Sequence, residues 1–290
     1  MSECKEKEYQ KPKYEKEIAA VIHEMWTKLG DSTLSLTYLA KIAQYSPFHF
    51  DRIFRSLTGI PPRQFLSAIR MEQAKEYLMT TDLPVTEISL RVGYSSFGTF
   101  STRFSRVVGL SPQQFRTYME QSKLELQRIV GLTQNEQDSV KGGIVGHISC
   151  PDSFQGFMCI GLFEKPIPIG KPVMCTVAFE EGRFWLPPVP DGDYYLMATA
   201  FTWDEPLGEY FLPRHTLRGK SKEVLQIRGQ RMVKEAPPLI RLRKPQFFDP
   251  PILISLPVLL EEYLNQEDAI RKRANEKKPT LSLSGNLSIK

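Results

Sequence analysis

The sequence predicts a multi-domain chain in which an all-α domain of two helix-turn-helix units precedes an all-β sandwich domain with a C-terminal helix. Three observations predict this arrangement. Helical periodicity dominates residues 14–120, and a motif recurs there at an offset of 50 residues. Short apolar runs separated by proline, glycine and aspartate dominate residues 142–264. A length of 290 residues is sufficient for two domains that each bury a core.

The flanking and connecting segments are polar. Residues 1–13 are a charged arm, residues 121–141 lose apolar periodicity as a linker does, and residues 265–290 form a basic tail that we expect to be disordered. A linker of this kind predicts that the helical domain works without the β domain.

Composition excludes several classes of protein. The N-terminus lacks the apolar stretch of a signal peptide, and no apolar run approaches the roughly 18 residues needed to span a bilayer, so we expect a cytoplasmic protein. The cysteines Cys4, Cys150, Cys159 and Cys175 lack CxxC spacing, which argues against a zinc ribbon. The four histidines have no carboxylate or cysteine at ligand spacing. We therefore expect no metal site, no cofactor and no catalytic residue.

The basic excess of the chain is local. The whole sequence carries 38 basic and 33 acidic residues, a net charge of +5, whereas residues 1–123 alone carry +4. Residues 124–264 are slightly acidic, and residues 265–290 carry +3. This asymmetry is typical of a chain in which only one module meets a polyanion.

The helical half contains a short helix pair. Apolar residues recur with helical spacing from Tyr14 to Leu29, which predicts a first amphipathic helix. Helices over residues 36–44 and 47–57 follow, separated by a tight break, and Pro47 suits a first helical turn. Two short helices joined by a turn of a few residues predict a helix-turn-helix at about residues 36–57.

A second copy of this pair follows. The segment RIFRSLTGIPPRQF (52–65) aligns with TRFSRVVGLSPQQF (102–115), so the second unit covers about residues 85–108. A longer helix from Pro62 to Met79 connects the copies. Successive major-groove segments on one face of DNA recur about 34 Å apart, so a stiff connector would let one chain read two segments at once.

Three segments carry a family resemblance. LAKIAQYSPFHFDRIFRSLTGIPPRQF, IRMEQAKEYL and VTEISLRVGYSSFGTFSTRFSRVVGLSPQQFR resemble the DNA-binding domain of the AraC/XylS family of bacterial transcription regulators, over about residues 14–118. The resemblance implies homeodomain-like units on a rigid helix and double-stranded promoter DNA as the partner. RNA polymerase, a small-molecule effector and a second copy of the chain are further expected partners. The linker then predicts that deletion of residues 142–290 leaves specific DNA binding intact.

The resemblance and the helical faces select candidate DNA contacts. Phe48, Asp51 and Arg52 would approach base edges, and His49 and Arg55 would approach phosphates. Arg52 matches guanine, Asp51 could accept from cytosine or orient Arg52, and Phe48 could meet a thymine methyl or fill the core. The second unit offers Gly98, Thr99, Ser101, Thr102, Arg103 and Arg106. Because Gly98 has no side chain, we expect this unit to contact phosphates and shape more than bases.

The β half is predicted from eight apolar runs. They are GIVGHIS, FMCIGLF, VMCTVAFE, RFWL, YYLMATAF, EVLQIR, LIRLR and PILISL. The residues Pro190, Asp191 and Gly192 predict a hairpin, with Gly192 at positive φ. The stretch FEEGRFWLPPVPDGDYYLMATAF resembles a transthyretin-like or carboxypeptidase-regulatory-like β-sandwich. We expect a helix after Pro257.

The task of the β domain stays open between two alternatives. It is either a ligand-sensing or dimerising domain, or an interaction platform without a small effector. Aromatic side chains either fill the sandwich core or line an apolar pocket. The pocket candidates are Phe163, Phe179, Trp185, Tyr195 and Trp203. A methyl-accepting repair enzyme would need an activated cysteine, and no cysteine here has such a setting, so we expect no enzymatic activity.

Overall fold

A computed structural model describes residues 12–118, 143–151, 154–234, 236–263 and 265–266. The predicted linker and nearly all of the predicted arm and tail lie outside the described residues, as does Cys4. No helix in the described ranges is long and apolar enough to cross a membrane.

The first part of the chain is helical, and its helices up to residue 108 lie close to the predicted ranges, whereas its last helix was not predicted. They are α1 (Pro12–Thr27), α2 (Leu36–Ile42), α3 (Pro47–Thr58), α4 (Pro62–Thr80), α5 (Val85–Arg91), α6 (Phe97–Val108) and α7 (residues 112–118). Serine side chains cap α2, α3 and α6, because Ser35, Ser46 and Ser96 each accept a hydrogen bond from a backbone N–H in the first turn. Gly59 and Gly109 end α3 and α6 in the left-handed conformation, with φ of +78° and +92°.

The sequence repeat is also a packing repeat. Each half of the helical part contains three phenylalanine rings in successive contact, with ring centroids 5.4–5.8 Å apart. The two sets are Phe50, Phe54 and Phe65, and, at the same offset of 50 residues, Phe100, Phe104 and Phe115. Each set joins the second helix of a pair to the helix that follows it. The two helix pairs are therefore packed in the same way, each around its own three rings.

The second part of the chain is rich in β-strands. The strands are β1 (Ile144–Ser149), β2 (Gly156–Phe163), β3 (Met174–Ala178), β4 (Gly182–Leu186), β5 (Gly192–Thr202), β6 (Leu217–Lys220), β7 (Leu225–Arg228), β8 (Arg231–Met232) and β9 (Leu239–Arg241), with the short helix α8 (Leu207–Phe211) after β5. A smaller sheet has the order β4-β1-β9, with β1 and β9 parallel. A larger sheet has the order β3-β2-β5-β7-β8, and β6 also pairs with β5.

Strand β2 of the larger sheet is buried on both faces. Met158, Ile160 and Leu162 of β2 face a core shared with the smaller sheet. The alternate side chains Phe157 and Cys159 belong to the core of the helical part. This explains why β2 has an unbroken apolar run instead of the alternation of a strand with one wet face. The helices therefore form a third layer over the sheets.

The predicted strand PILISL is not a strand. Residues 251–260 are all buried, and the last of them begin helix α9 (residues 256–263). Ile252, Leu253, Ile254 and Leu256 pack in the core of the helical part, where extended backbone has no sheet edge to pair with. Leu253 O instead accepts a hydrogen bond from Lys75 Nζ of α4 at 2.9 Å. The apolar run thus joins the two parts of the chain, and β6 and β8, which lack apolar alternation, were not predicted.

The predicted hairpin at residues 190–192 is also wrong. Strands β4 and β5 lie in different sheets, so the connection crosses between sheets, and Gly192 is not at positive φ. The Asp191 carboxylate accepts hydrogen bonds from the backbone N–H groups of Gly229 and Gln230, at 2.8 and 3.0 Å. Those two residues have φ of +58° and +61° and form the tight turn between β7 and β8.

Candidate nucleic-acid interface

The exposed face of α3 presents an aromatic and a cationic side chain to solvent. Phe48 is 83% exposed, which excludes the alternative that it fills the core. Arg52 is exposed beside it, and its Nη2 lies 3.1 Å from His49 Nδ1. Asp51 pairs with Arg55 Nε at 2.7 Å. Phe48 and Arg52 are therefore the side chains on α3 best placed to meet a base edge.

His49 is fixed by aromatic contacts. Its ring packs edge-on against Tyr45 and Tyr14, with centroids 5.1 and 6.3 Å away, and the imidazole is half-buried. Its backbone N–H donates to the capping hydroxyl of Ser46. The first turn of α3 is consequently held in place by α1 and by the turn that precedes it.

The exposed face of α6 is smaller and less charged. Gly98, Thr99, Thr102 and Arg106 are exposed, and Ser101 is half-buried. Arg103 is half-buried as well, and its Nε donates to Ser67 Oγ of α4 at 2.5 Å. Arg103 therefore ties α6 to the connecting helix, because the hydroxyl of Ser67 occupies its Nε donor.

An aromatic side chain at the start of α6 was not among the predicted contacts. Phe97 directly follows the capping residue Ser96 and is 46% exposed. It aligns with Pro47 in the repeat, so comparing the two copies does not single it out. The sequence did contain one signal for it. Phe97 is a large apolar side chain in the first turn of α6, and it precedes Phe100, the first core position of that helix.

Two arginines, one on α4 and one on α7, each bind the loop that precedes a helix pair. Arg70 of α4 donates from Nε and Nη2 to the carbonyl oxygens of Leu29 and Asp31, at 2.9 and 3.0 Å. Arg116 of α7 donates from Nη2 to Leu83 O at 2.7 Å. Both are side-chain contacts to backbone far away in sequence. The first helix pair is therefore braced against α4, and the second against α7.

The five predicted pocket residues do not line one pocket. Phe163 and Tyr195 are cross-strand neighbours on β2 and β5, whereas Trp185 lies on β4 in the other sheet. Phe179 stacks on Trp203, which is 46% exposed, with centroids 6.3 Å apart. Phe163 and Tyr195 share one face of the larger sheet because they are paired, and Trp203 packs on Phe157 of that face with ring centroids 5.3 Å apart, so it is Trp185, in the other sheet, that is separated from the rest. Of the five, only Phe163 lines a cavity of about 550 Å³ that lies between the helices and the larger sheet.

The described cysteines have raised pKa values. Burial is the main cause, and it raises the pKa of Cys150 to about 11 and that of Cys175 to about 12. The pKa of Cys159, fully surrounded by protein, rises further for the same reason. A protonated, buried thiol is a poor nucleophile. No group of three or more histidine, cysteine or acidic side chains in the described ranges could hold a metal ion.

Comparisons with known proteins locate the same region. Residues 39–118 match the family described as a helix-turn-helix domain. The chain is 32% identical over 105 residues to the bifunctional transcriptional activator/DNA repair enzyme AdaA of Bacillus subtilis, a match that covers 36% of this chain and 48% of that protein. It is 34% identical over 83 residues to the HTH-type transcriptional activator AarP of Providencia stuartii, covering 29% of this chain and 62% of that protein.

Solved structures include a similar domain. The DNA-binding domain of AdpA, determined in complex with a target DNA, is 34% identical, with 37% of this chain and 96% of that chain covered and a TM-score of 0.35. The chain spans about half the length of AdaA and less than two thirds of AarP. The family match confirms the resemblance expected from the repeated motif, and residues 39–118 are an AraC-type helix-turn-helix domain, a DNA-binding module found in transcription regulators.

Proposed function

We propose that this chain is a sequence-specific DNA-binding regulator of transcription, in which two helix-turn-helix units, α2 with α3 and α5 with α6, read adjacent major-groove segments of promoter DNA. The observation that carries the proposal is the exposed face of α3. Phe48, 83% exposed, and the exposed Arg52 one turn later present an apolar ring and a cation side by side at the start of α3. An arginine paired to guanine and an apolar ring against a thymine methyl are ordinary base contacts.

The two units have different shares in recognition. In the first unit, Phe48, Asp51 and Arg52 read bases, while His49 and Arg55 contact phosphates. In the second unit, small polar side chains and Arg106 contact phosphates and respond to DNA shape. The bond from Arg103 to Ser67 supports this division, since it leaves α6 with fewer long side chains for base edges.

The β half is, in this proposal, a transthyretin-like sandwich that senses a ligand or dimerises, within a cytoplasmic protein that also contacts RNA polymerase. The alternative is a platform for protein contacts. A cavity of about 550 Å³ beside the helices favours the sensing role over the platform. The chain is proposed to catalyse no reaction, since the raised pKa values of the described thiols oppose a methyl-accepting role.

Selection of binding sites from random DNA with the purified full chain tests the proposal. We expect a selected sequence with two blocks about one helical turn apart, the stronger preference lying in one block. Arg52→Ala should weaken binding and relax one base position in the stronger block. Arg231→Ala, which removes an exposed arginine on β8, is the matched control and should leave binding unchanged. Failure to enrich any sequence, with weak and uniform binding to all DNA, would refute sequence-specific regulation.

A further inference from the structure

A large cavity lies between the helical and β parts. It has a volume of about 550 Å³, within the range of small-molecule sites. One wall is the last turn of α3, from Ser56 to Gly59, and the opposite wall is formed by β2, β5 and β6. The residues 250–254 and α9 close a third side. We refer to this cavity as the interdomain cleft.

The walls of the interdomain cleft are partly apolar and partly polar, and the charged side chains around it are mostly basic. Apolar side chains such as Phe163, Met197 and Leu259 line it. Its charged lining residues are one acidic residue, Asp249, and four basic residues, namely Arg218, Lys220, Arg241 and Arg243. Asp249 is already engaged, because its carboxylate pairs with Arg243 at 2.6 Å and accepts from Gln246 N at 2.8 Å. The positive charge in the cleft therefore exceeds the negative charge.

Arg218 brings a largely buried cation to the lining of this site. Its Nη2 donates to the carbonyl oxygens of Pro213 and Arg214, at 2.7 and 3.1 Å. Its Nε is buried and has no hydrogen-bond partner among the described residues. Burial also lowers the pKa of this guanidinium below its usual range. A buried guanidinium in the lining and the net positive charge of the cleft together favour an anion.

The cleft touches the helix that carries the base-reading side chains. Lys220 of β6 reaches the C-terminal cap of α3, since a Cβ placed on Gly59 would lie 3.1 Å from Lys220 Nζ. The ammonium group is favourable there, because the last carbonyls of a helix carry partial negative charge. A ligand that draws Lys220 into the cleft would remove this contact from the end of α3.

We propose that the interdomain cleft binds a small organic anion with an apolar body, whose charged group is held by Arg218, Lys220 and Arg241 and whose body packs between the larger sheet and the last turn of α3. This site deepens the proposed sensing role of the β half and rests on it. The ligand would act on DNA binding through the end of α3.

The test compares two fluorescent probes that share their rings but not their charge. 8-Anilinonaphthalene-1-sulfonate carries a sulfonate, and N-phenyl-1-naphthylamine does not. We expect the full chain to bind one molecule of the sulfonate probe, more tightly than the neutral probe. The variant Lys220→Met/Arg241→Met changes two exposed side chains, so it should fold, and it should weaken the sulfonate probe about tenfold. Its affinity for the neutral probe should stay within about twofold of the wild-type value, since the charge-assisted bonds are the part that is lost.

Two further variants locate the site. Ser56→Trp places a large ring on an exposed position of α3 at the edge of the cleft and should weaken both probes. Arg231→Met removes a cation outside the cleft and should change neither. The proposal is overturned if the wild-type chain does not bind the sulfonate probe, if the double variant binds it as the wild type does, or if Ser56→Trp leaves both probes unchanged.

DNA binding is measured separately on a selected site. The sulfonate probe at saturation should shift the DNA affinity of the wild type at least threefold and that of Ser56→Trp much less. If the double variant loses DNA affinity while it keeps the sulfonate probe, the cations are phosphate contacts and the proposal is wrong. If the wild type binds no specific DNA, the proposed regulatory function fails. The probe titrations still show whether the interdomain cleft binds an organic anion.

Discussion

Lys75 joins the two parts of the chain and is the most informative residue to replace. Its side chain is fully buried on α4, where Nζ donates to Leu253 O at 2.9 Å and lies 5.7 Å from the ring centroid of Phe115. Burial lowers the pKa of this lysine from 10.5 to about 7. Attraction to Glu72 opposes the lowering, and repulsion from Arg214 adds to it. At neutral pH the folded chain therefore keeps a partly charged group in a dry site.

The lowered pKa sets a pH dependence of stability. Between about pH 7 and pH 10.5 the unfolded chain binds more protons at this lysine than the folded chain. The free energy of unfolding therefore rises with pH in that window, by up to about 1.4 kcal/mol per pH unit from this group alone, and is flat below it. The gap between 10.5 and about 7 corresponds to a destabilisation of about 4–5 kcal/mol at and below neutral pH.

Lys75→Met removes the charge and keeps a side chain of similar length. It also leaves Leu253 O without its donor, which costs about 1–3 kcal/mol. We expect the variant to be more stable than the wild type by about 1–3 kcal/mol at pH 7. The advantage should shrink from pH 8 to pH 10, because the folded wild type has already lost the proton of Lys75 while the unfolded chain still binds it, and releasing that proton on folding becomes less costly as the pH rises. Lys75→Arg, which keeps the charge at every pH, is the control and should be destabilised throughout.

Urea unfolding at pH 6, 7, 8, 9 and 10, followed by tryptophan fluorescence, measures the difference between variant and wild type. The other titrating groups, including the buried cysteines, are common to both proteins and cancel in that difference. A difference that is constant across this pH range would refute the assignment of a lowered pKa to Lys75. A variant that is less stable than the wild type at pH 6 would show that the hydrogen bond to Leu253 outweighs the burial of charge.

Four further predictions concern the DNA-binding surface and the joint between the two parts. Arg52→Ala should cost about 1–3 kcal/mol of DNA binding on the selected site and relax one base position in a titration series, whereas an equal loss on all DNA would make Arg52 a phosphate contact. Phe48→Ala should leave the urea midpoint unchanged and weaken DNA binding, and a lowered midpoint would contradict its exposed position. Arg214→Ala should lower the free energy of unfolding by about 1–3 kcal/mol, because it breaks the ion pairs to Glu72 and Glu76 at 3.1 and 2.8 Å; an unchanged value would mean that these pairs contribute nothing. The logarithm of the DNA affinity should fall with the logarithm of salt concentration at a slope of about −0.9 per phosphate contacted, and a flat response would exclude backbone contacts.

The helical part was predictable because its signals are local. A capping serine, an N-terminal proline and a left-handed glycine fix the start and end of α3 within a few residues of sequence. Because the motif repeats at an offset of 50 residues, the same signals predict the start and end of α6. The exposure of Phe48 was left open, since apolar periodicity cannot separate a core position from an exposed apolar side chain that awaits a partner.

The β half was less predictable because its features depend on pairing between distant strands. The Pro-Asp-Gly segment has the chemistry of a hairpin, but pairing of β4 with β1 places it between sheets. The run at 251–256 has the composition of a strand, but it is buried against helices that sequence alone assigns to another domain. Trp185 is separated from the other predicted pocket residues for the same reason. Its strand β4 pairs with β1 in the smaller sheet, and sequence alone does not show this pairing.

Both helices that carry candidate DNA contacts, α3 and α6, have their C-terminal ends against the β half. This bears on the expectation, drawn from the linker, that the helical part works alone. Gly170 N donates to Val107 O in the last turn of α6 at 2.7 Å, and Lys220 lies at the cap of α3. Phe115 contacts Phe211, and buried residues of α9 share the core of the helices. Removal of residues 142–290 would expose this apolar surface and free both helix ends, so the expectation that the helical part binds DNA unaided conflicts with the packing. Because two helices must match successive major-groove segments, a β half that holds both of their C-terminal ends can change DNA affinity through a small shift in either one.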